Sequence, residues 1–401
     1  MKGKKKKHSM ALFMAELLII VVVGLGIFIY AKVNENLRAR NSASENQTST
    51  AAANEADANA NGDAAAENSG VDDDSKMTGY TNLVLVGIDT REGNLHYANS
   101  DTMIICSINN DTKQVRLVSL YRDTLLNIGS LDDENAVNFN KCNAAYAVGS
   151  AKQMLQMMNK NLDMNLHDYV VVDFSAVAKL AEDLGGIDVD LTYEEAVHLN
   201  DYCVETAQVT GDTYTPLDIP DEANQWTGTK TFHLNGVQTV AYARIRYTAG
   251  NDFKRTQRQR LVIEKLVEKA KSAGFSSVSS IIADVFPLCY TSYSSSDILK
   301  LATQVFDYNI DKTSGFPFEH LENDVTVGDN TYDCVVPVTL EQNVKELHAF
   351  LFDDENYEPT ETVKEYSQNL IDLSGYGEDS IETATKNSVI SGSGGEADSV
   401  K

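Results

Sequence analysis

The sequence lacks the residue patterns that mark several common kinds of site. Its five cysteines stand far apart, with no CxxC pair and no zinc-ligand spacing. Their odd count leaves at least one thiol unpaired, and it fits either buried free thiols or one or two disulfides. The seven histidines form no HExxH motif, and no glycine-rich P-loop is present. These absences argue against a zinc enzyme and against an ordinary nucleoside triphosphatase.

The sequence is also short of positive charge. Lysine and arginine number 33 against 59 aspartates and glutamates, which gives a net charge of −26. Binding to nucleic acid relies on a broad basic surface, so this balance argues against a nucleic-acid partner. The basic clusters are local exceptions on an acidic background.

The N-terminal residues predict a membrane anchor. Residues 1–9 are basic, and residues 10–31 are apolar except for Glu16. About 20 apolar residues are enough to cross a bilayer as a helix. The basic flank should stay in the cytoplasm, which places the rest of this single-pass protein of the cell membrane outside the cell. A cleaved signal peptide is the competing interpretation, but residues 27–30 make a poor approach to a small-residue cleavage site.

Two segments have the composition of disordered chain. Residues 32–76 consist mostly of Ala, Asn, Ser, Thr, Asp and Glu and predict a solvated linker. Residues 374–401, with a Gly- and Ser-rich stretch, predict a disordered tail.

Between these segments, apolar patterning predicts an α/β layered domain at residues 77–273. Short apolar runs at residues 81–87, 102–108, 115–120, 169–172 and 187–191 are typical of buried strands. Helical spacing occurs at residues 143–158 and 174–184, and strands that alternate with helices indicate a layered domain. Residues 274–373 are expected to form a C-terminal extension packed on this core.

The densest basic cluster lies at residues 242–260. An apolar series from Val262 follows at helical spacing, so Arg255, Arg258 and Arg260 are expected in or just before the first turn of a helix. Cations are unfavourable at this end because the helix dipole already places positive charge there. Such a conflict indicates a site whose ligand supplies the missing negative charge, and phosphate is the first choice. If residues 243–247 are extended, Arg244 and Arg246 point to the same side.

Further charged residues stand where the predicted strands end. Asp89 follows the first strand and Asp101 precedes the second, so the two carboxylates are placed to share a hard cation such as Mg²⁺. Turn capping is the commoner use of such aspartates. Arg116 and Arg122 are six residues apart, and an even separation on a regular strand predicts one shared face directed at a site. Asp252, among the arginines, is either a general base or an arginine-orienting partner.

Taken in order, these motifs resemble those of the LytR-CpsA-Psr family. The match begins with residues 82–91, which run Asn-Leu-Val-Leu-Val-Gly-Ile-Asp-Thr-Arg, and continues with residues 100–103 and 119–124. It includes Leu-Gly-Gly-Ile-Asp-Val at residues 184–189 and closes with residues 234–236, 241–246 and 252–259. Tyr121 departs from the pattern, because the family commonly has proline before the Arg-Asp pair. Lys254 replaces a usual small residue.

The resemblance implies a fold and an activity. The fold is a central mixed β-sheet sandwiched between helices, with an apolar tunnel for a polyprenyl tail. The activity, in mainly Gram-positive bacteria, moves a glycopolymer such as teichoic acid or capsule from undecaprenyl pyrophosphate onto peptidoglycan as a phosphodiester. The partners are thus the lipid-linked glycopolymer, the peptidoglycan acceptor and the membrane.

The resemblance also assigns roles to residues. Asp89 and Asp101 bind Mg²⁺, for which Mn²⁺ is a substitute. The pyrophosphate is held by Arg91, Arg122, Arg244, Arg246, Arg255 and Gln259. The arginine pattern itself adds Arg258 to this set. The expected catalytic residues are Asp252, Arg122 and Arg244.

Other readings use the same residues. A polyprenyl-pyrophosphate hydrolase differs only in admitting water in place of the sugar acceptor. A non-catalytic membrane sensor or transcription attenuator is disfavoured by the predicted topology. A structural wall-linked protein with bound lipid is the third alternative.

Overall fold

The computed structural model describes residues 77–89, 95, 98–133, 135–220, 223, 226–246, 248, 251–293 and 309–391. The predicted anchor, the predicted linker and Arg91 lie outside these residues. No helix within the described part is long and apolar enough to cross a membrane.

Fourteen strands and seven α-helices occur within the described residues. The strands are β1 (Tyr80–Ile88), β2 (Ser100–Asn109), β3 (Gln114–Leu120), β4 (Leu125–Asn127), β5 (Phe139–Lys141), β6 (Asp168–Val172), β7 (Ile187–Leu191), β8 (Lys230–Leu234), β9 (Cys289–Thr291), β10 (Asn309–Phe316), β11 (Glu319–Val327), β12 (Asn330–Pro337), β13 (Thr385–Lys386) and β14 (Ile390–Ser391). The helices are α1 (Ala144–Leu162), α2 (Phe174–Asp183), α3 (Tyr193–Thr210), α4 (Gly236–Arg244), α5 (Asn251–Val285), α6 (Leu340–Phe352) and α7 (Glu361–Ser374).

The main sheet is mixed, and in the described residues it has seven strands in the order β14-β10-β3-β2-β1-β6-β9. Strand β1, next to the central strand β2, runs antiparallel to β2 and parallel to β6, while β3 runs parallel to β10. Smaller sheets are formed by β4 with β5, by β7 with β8, and by β12-β11-β13.

Both faces of the main sheet are buried under helices. Successive side chains of a strand point to opposite faces, so Leu83 and Leu85 belong to one core and Val84 and Val86 to the other. Helices α2 to α5 cover the first face, and α1, α6 and α7 cover the second. Burial on both faces explains why β1 and β2 read as continuous apolar runs. The predicted α/β fold with a sheet between helices is confirmed.

Several element predictions are confirmed, and others change. The strands expected at residues 81–87, 102–108, 115–120 and 169–172 are β1, β2, β3 and β6. The strand expected at residues 187–191 is β7, although it pairs with β8 outside the main sheet. The boundary drawn at residue 273 falls inside helix α5.

The C-terminal part contributes to the core instead of lying on it. Strand β10 pairs with β3 in the main sheet, although its buried residues include Thr313, Ser314 and Gly315, which give no apolar signal. Disorder was predicted from residue 374. However, residues 378–383 form a 3₁₀ helix and β13 and β14 pair with β11 and β10. Backbone pairing orders this polar segment.

The predicted orientation of Arg116 is wrong. Its side chain lies on the α6 face of the sheet, where it pairs with Asp353 at 2.8 Å and Asp311 at 3.4 Å and donates to the Phe350 carbonyl at 2.8 Å. Burial alone lowers the pKa of Arg116, but the two carboxylates raise it above its usual value. A buried arginine needs such partners, so Arg116 ties β3 to the C-terminal helices and not to a site.

Candidate functional site

A polar pocket of about 140 Å³ lies at one edge of the main sheet. Strands β1 and β6 are parallel and end at this edge, and the antiparallel strand β2 begins there. Crevices beyond the carboxyl ends of parallel strands are the usual place for ligand sites in α/β proteins. The lining residues are Gly87, Asp89, Asp101, Thr102, Phe174, Tyr202, Arg244, Arg246, Arg255 and Gln259.

Three guanidinium groups share two carboxylates at this pocket. Asp101 lies 2.5 Å from Arg122 and 3.6 Å from Arg246. Asp252 lies 2.9 Å from Arg255, 3.6 Å from Arg246 and 3.7 Å from Arg122. Three guanidinium groups thus meet in a half-buried place, where charge is poorly screened. An anionic ligand would reduce the repulsion among them.

Arg255 is the most deeply buried of these arginines. Its side chain is 3% exposed and donates to Asp252 and to the Asp101 carbonyl at 3.1 Å each. Its Nε has no hydrogen-bond partner among the described residues. Burial, together with the nearby Arg246 and Arg122, lowers the pKa of Arg255 to about 10 against the opposing effect of Asp252. A phosphate oxygen would satisfy both the free donor and the charge.

Arg122 has the opposite balance of charges. Burial by itself lowers the pKa of Arg122, but the carboxylates of Asp101, Asp123 and Asp252 together raise it above its usual value. Arg122 therefore stays charged and holds the carboxylates of Asp101 and Asp252 in place.

Arg244 lies at the C-terminal end of helix α4 and not on a strand. The expected extended conformation of residues 243–247 is wrong for its first two residues, because an Asn235–Gln238 capping box starts a helix at Gly236. The guanidinium donates to Thr206 at 2.9 Å and pairs with Glu205 at 3.0 Å. It also lies 4.5 Å from the Phe174 ring, a cation–π distance.

Helix α5 begins at Asn251, earlier than predicted. Arg255 and Arg258 consequently lie in the second and third turns, where the helix dipole is weak. The unfavourable feature of the basic cluster at residues 242–260 is therefore the burial of like charges close together. Repulsion between these arginines and the helix dipole is the smaller effect.

Arg258 is structural and is not among the pocket-lining residues. It is buried and pairs with Glu195 of α3 at 3.0 Å. It also donates to the Ile245 carbonyl at 3.0 Å and to the Thr248 hydroxyl at 2.6 Å. Arg258 therefore clamps the connection between α4 and α5, which carries Arg246, and the structure does not place it in the pocket that its predicted role in pyrophosphate binding requires.

The two aspartates predicted for a metal come together in the structure. Asp89 and Asp101 line the same pocket, beside Gln259, whose Oε1 is buried without a hydrogen-bond partner in the described part of the chain. The ion pairs that Asp101 makes there use its Oδ1. The described residues contain no group of three or more His, Cys, Asp or Glu side chains suited to a metal. The carboxylates would have to share a cation with ligand or water oxygens.

An apolar cavity of about 160 Å³ continues from the pocket. It lies between the sheet and helices α2, α4 and α5, and its wall is almost entirely apolar, with Leu85, Ile104, Val177 and Leu266 as examples. Gly87, Thr102, Phe174, Arg244 and Gln259 line both spaces. The combined shape suits a molecule with an anionic head and an apolar tail.

Sequence reasoning missed several residues of this site. Phe174 directly follows Asp173 at the end of β6, so a parallel pairing of β6 with β1 would have placed it at the same edge. Tyr202, Glu205 and Thr206 lie within the 18-residue helix α3, which follows the motif at residues 184–189. Nothing in their spacing identifies them as site residues. Only tertiary packing brings them to Arg244.

Fold and site together define an α/β protein with a basic pocket that opens into an apolar channel. Residues 35–348 match the LytR_cpsA_psr family, and the chain belongs to that family. The resemblance seen in the sequence motifs is thus confirmed.

Individual relatives are similar over part of their length. The chain is 30% identical over 223 residues to the polyisoprenyl-teichoic acid–peptidoglycan teichoic acid transferase TagU of Enterococcus faecalis, across 55% of this chain and 64% of TagU. It is 29% identical over 193 residues to biofilm regulatory protein A of Streptococcus mutans, across 47% of this chain and 43% of that protein. The chain therefore matches 64% and 43% of the length of these two relatives.

Solved structures show the same fold. The structure of TagT bound to LI-WTA superposes with a TM-score of 0.51 and 18% identity, and the match covers 74% of this chain and 98% of TagT.

Proposed function

We propose that this protein moves a glycopolymer from a polyprenyl pyrophosphate carrier onto peptidoglycan, as a phosphodiester. The observation that carries the proposal is the continuity of the arginine pocket with the apolar cavity. The names of the relatives add support, since TagU is a teichoic acid transferase and TagT has been solved with LI-WTA.

The pocket residues divide between holding the head group and orienting each other. Arg244, Arg246 and Arg255 line the pocket and would grip the phosphate oxygens, with Gln259 beside them. Arg122 does not line the pocket but contacts both carboxylates, and its charge would help to stabilise the negative charge that develops during transfer. The polyprenyl tail would lie among the apolar side chains of the cavity.

The transfer needs charge neutralisation and alignment more than an unusual nucleophile. A sugar hydroxyl oxygen attacks the phosphorus that carries the glycopolymer. The bond from that phosphorus to the bridging oxygen breaks, and polyprenyl phosphate leaves with the bond's electron pair. The hydroxyl proton passes to a base or to solvent. Three guanidinium groups lie within 4 Å of Asp252, which favours its role as an arginine orienter over that of a base.

The donor set fits Mg²⁺. Two carboxylates line one pocket with room for water and phosphate oxygens, which are the ligands this ion prefers. We propose that Asp89 and Asp101 hold it, and that Mn²⁺ can substitute. Bound there, the ion would neutralise charge on the pyrophosphate.

A polyprenyl carrier lies in the membrane, so the proposed reaction requires the protein to be held at the membrane. We propose that residues 10–31 anchor the chain in the cell membrane with residues 1–9 in the cytoplasm, so that the folded domain faces the wall.

The test is a reconstituted reaction. Full-length protein in liposomes receives a polyprenyl-pyrophosphoryl glycan, Mg²⁺ and peptidoglycan oligomers, and products are separated by mass. A joined glycan–peptidoglycan phosphodiester together with polyprenyl phosphate supports the proposal. Glycan phosphate released without a joined product identifies a hydrolase instead. No turnover with tight donor binding identifies a sensor or a lipid-stabilised structural protein.

A further inference from the structure

The last described residues of the chain cross from one sheet to another. Thr385 and Lys386 pair with β11, and Ile390 and Ser391 pair with β10. Residues 385–391, the C-terminal strap, therefore span the corner between the main sheet and the three-stranded sheet.

Asn387 fixes the middle of the strap through its backbone N–H and both polar atoms of its side chain. Its backbone N–H donates to the Phe318 carbonyl at 2.8 Å, and its side-chain amide donates to the carbonyls of Gly315, at 3.1 Å, and Pro317. Its Oδ1 accepts a hydrogen bond of 2.8 Å from the Tyr121 hydroxyl. These contacts fix the orientation of the Asn387 side chain, and its Oδ1 in turn fixes the position of the Tyr121 hydroxyl.

Gly315 provides the space for that hydroxyl. A Cβ added at residue 315 would lie 2.1 Å from the Tyr121 Oη, a distance that no side chain tolerates. Strand β10 and the strap thus form a seat for the Tyr121 hydroxyl, a small space between the backbone of Gly315 and the side chain of Asn387.

Tyr121 connects this seat to the candidate site. Its ring packs edge-on against Phe253 with centroids 4.6 Å apart, and the buried His320 ring packs 4.8 Å from Phe253. Tyr121 directly precedes Arg122, and Phe253 directly follows Asp252. The ring contact therefore joins the neighbours of two charged residues whose side chains lie 3.7 Å apart.

The backbone of Tyr121 is already rigid. Its N–H donates to the Phe316 carbonyl at 3.0 Å, and its own carbonyl accepts from the Thr124 N–H at 2.9 Å and the Thr124 hydroxyl at 2.7 Å. The orientation of the Tyr121 ring is not fixed by these backbone contacts, and the strap restrains it.

We propose that the C-terminal strap is a positioning element for the pyrophosphate pocket, with Asn387 and Tyr121 as its positioning residues. By seating the Tyr121 ring, it sets the place of Phe253 and hence the spacing of Arg122 and Asp252. The inference rests on the proposed function, because it assigns the strap to the same pocket. Neither residue lines the pocket.

The experiment measures binding of inorganic pyrophosphate to the full-length protein in detergent by titration calorimetry, beside thermal unfolding. Asn387→Ala and Tyr121→Phe each remove one partner of the hydrogen bond, and Tyr121→Phe keeps the ring. Lys386→Ala is the matched control in the same strap, because the Lys386 side chain is 60% exposed and its removal breaks a different interaction, the ion pair with Glu319.

The strap role predicts that each of the two variants weakens pyrophosphate binding roughly three- to tenfold. The double variant should bind no more weakly than Asn387→Ala, because that change already removes the hydrogen bond that Tyr121→Phe removes. Lys386→Ala should bind like wild type. If Asn387→Ala does not fold, Tyr121→Phe carries the test alone.

Three outcomes overturn the inference. If Tyr121→Phe and Asn387→Ala bind pyrophosphate like the wild type, or if Lys386→Ala weakens binding as much as they do, the strap only stabilises the fold. Both of these results leave the proposed function standing. A wild-type protein that does not bind pyrophosphate overturns the proposed function and the strap role together.

Discussion

Replacing Arg258 tests whether this arginine stabilises the fold or binds a ligand. Arg258→Met leaves Glu195 without its partner and removes hydrogen bonds to the Ile245 carbonyl and the Thr248 hydroxyl. Removing one member of a buried ion pair costs about 3–5 kcal/mol. Because the Glu195 side chain is 17% exposed, we expect the lower end, about 3 kcal/mol.

The matched control is Arg246→Met. The Arg246 side chain is 33% exposed, and it shares its two carboxylates with other arginines, so its loss should change the free energy of unfolding by only about 0.5 kcal/mol. Its loss should weaken pyrophosphate binding by about ten- to a hundredfold, since a hydrogen bond to a charged group contributes about 1.5–3 kcal/mol.

The assay is urea unfolding at pH 7.5 together with pyrophosphate titration of each folded variant. A further variant that combines Glu195→Leu with Arg258→Met should lose less stability than the sum of the two single changes, because both remove one pair. An Arg258→Met protein of wild-type stability that no longer binds pyrophosphate would refute the clamp and restore Arg258 as a ligand.

Three further predictions test the site and the core. Asp252→Asn should lower transfer by about tenfold or more without moving the pH–rate profile if Asp252 orients arginines, whereas loss of a pH limb would identify a base; near-wild-type transfer would remove Asp252 from the site. Val177→Trp should fill the apolar cavity and weaken binding of a long polyprenyl pyrophosphate while inorganic pyrophosphate binds as before; equal loss of both would place the tail elsewhere. Burial lowers the pKa of His320 to about 4, and the Pro317 carbonyl offsets only part of this. The unfolded chain therefore binds the proton more tightly, so stability is complete above the unfolded pKa and declines as pH falls from about 6.5 to 4. His320→Phe should remove about 1.4 kcal/mol of the stability difference between pH 7.5 and pH 5.5 in urea unfolding; an unchanged difference would refute the buried neutral histidine.

The sequence was most informative where a signal is local. Strands β1 and β2 are continuous apolar runs because both of their faces are buried. Asp89 and Asp101 stand at the ends of those strands, and antiparallel pairing then brings them to one pocket. The arginine cluster was visible because six cations in a short span, five arginines and one lysine, stand out in an acidic chain.

What the sequence could not provide depends on partners far along the chain. Arg258 and Arg255 look alike in the sequence, yet only Arg258 meets Glu195, 63 residues away. Arg116 meets Asp353, 237 residues away, and Asn387 meets Tyr121 over 266 residues. Strand β10 buries Thr, Ser and Gly by backbone pairing, which leaves no apolar pattern to read.

The central claim is that one ligand occupies both the arginine pocket and the apolar cavity. The most direct measurement is a crystal structure of the protein with a polyprenyl pyrophosphate. We expect phosphate oxygens within hydrogen-bond distance of Arg244, Arg246 and Arg255, and an alkyl chain between β1 and helices α2 and α5. A lipid bound elsewhere, or a head group away from these arginines, would contradict it.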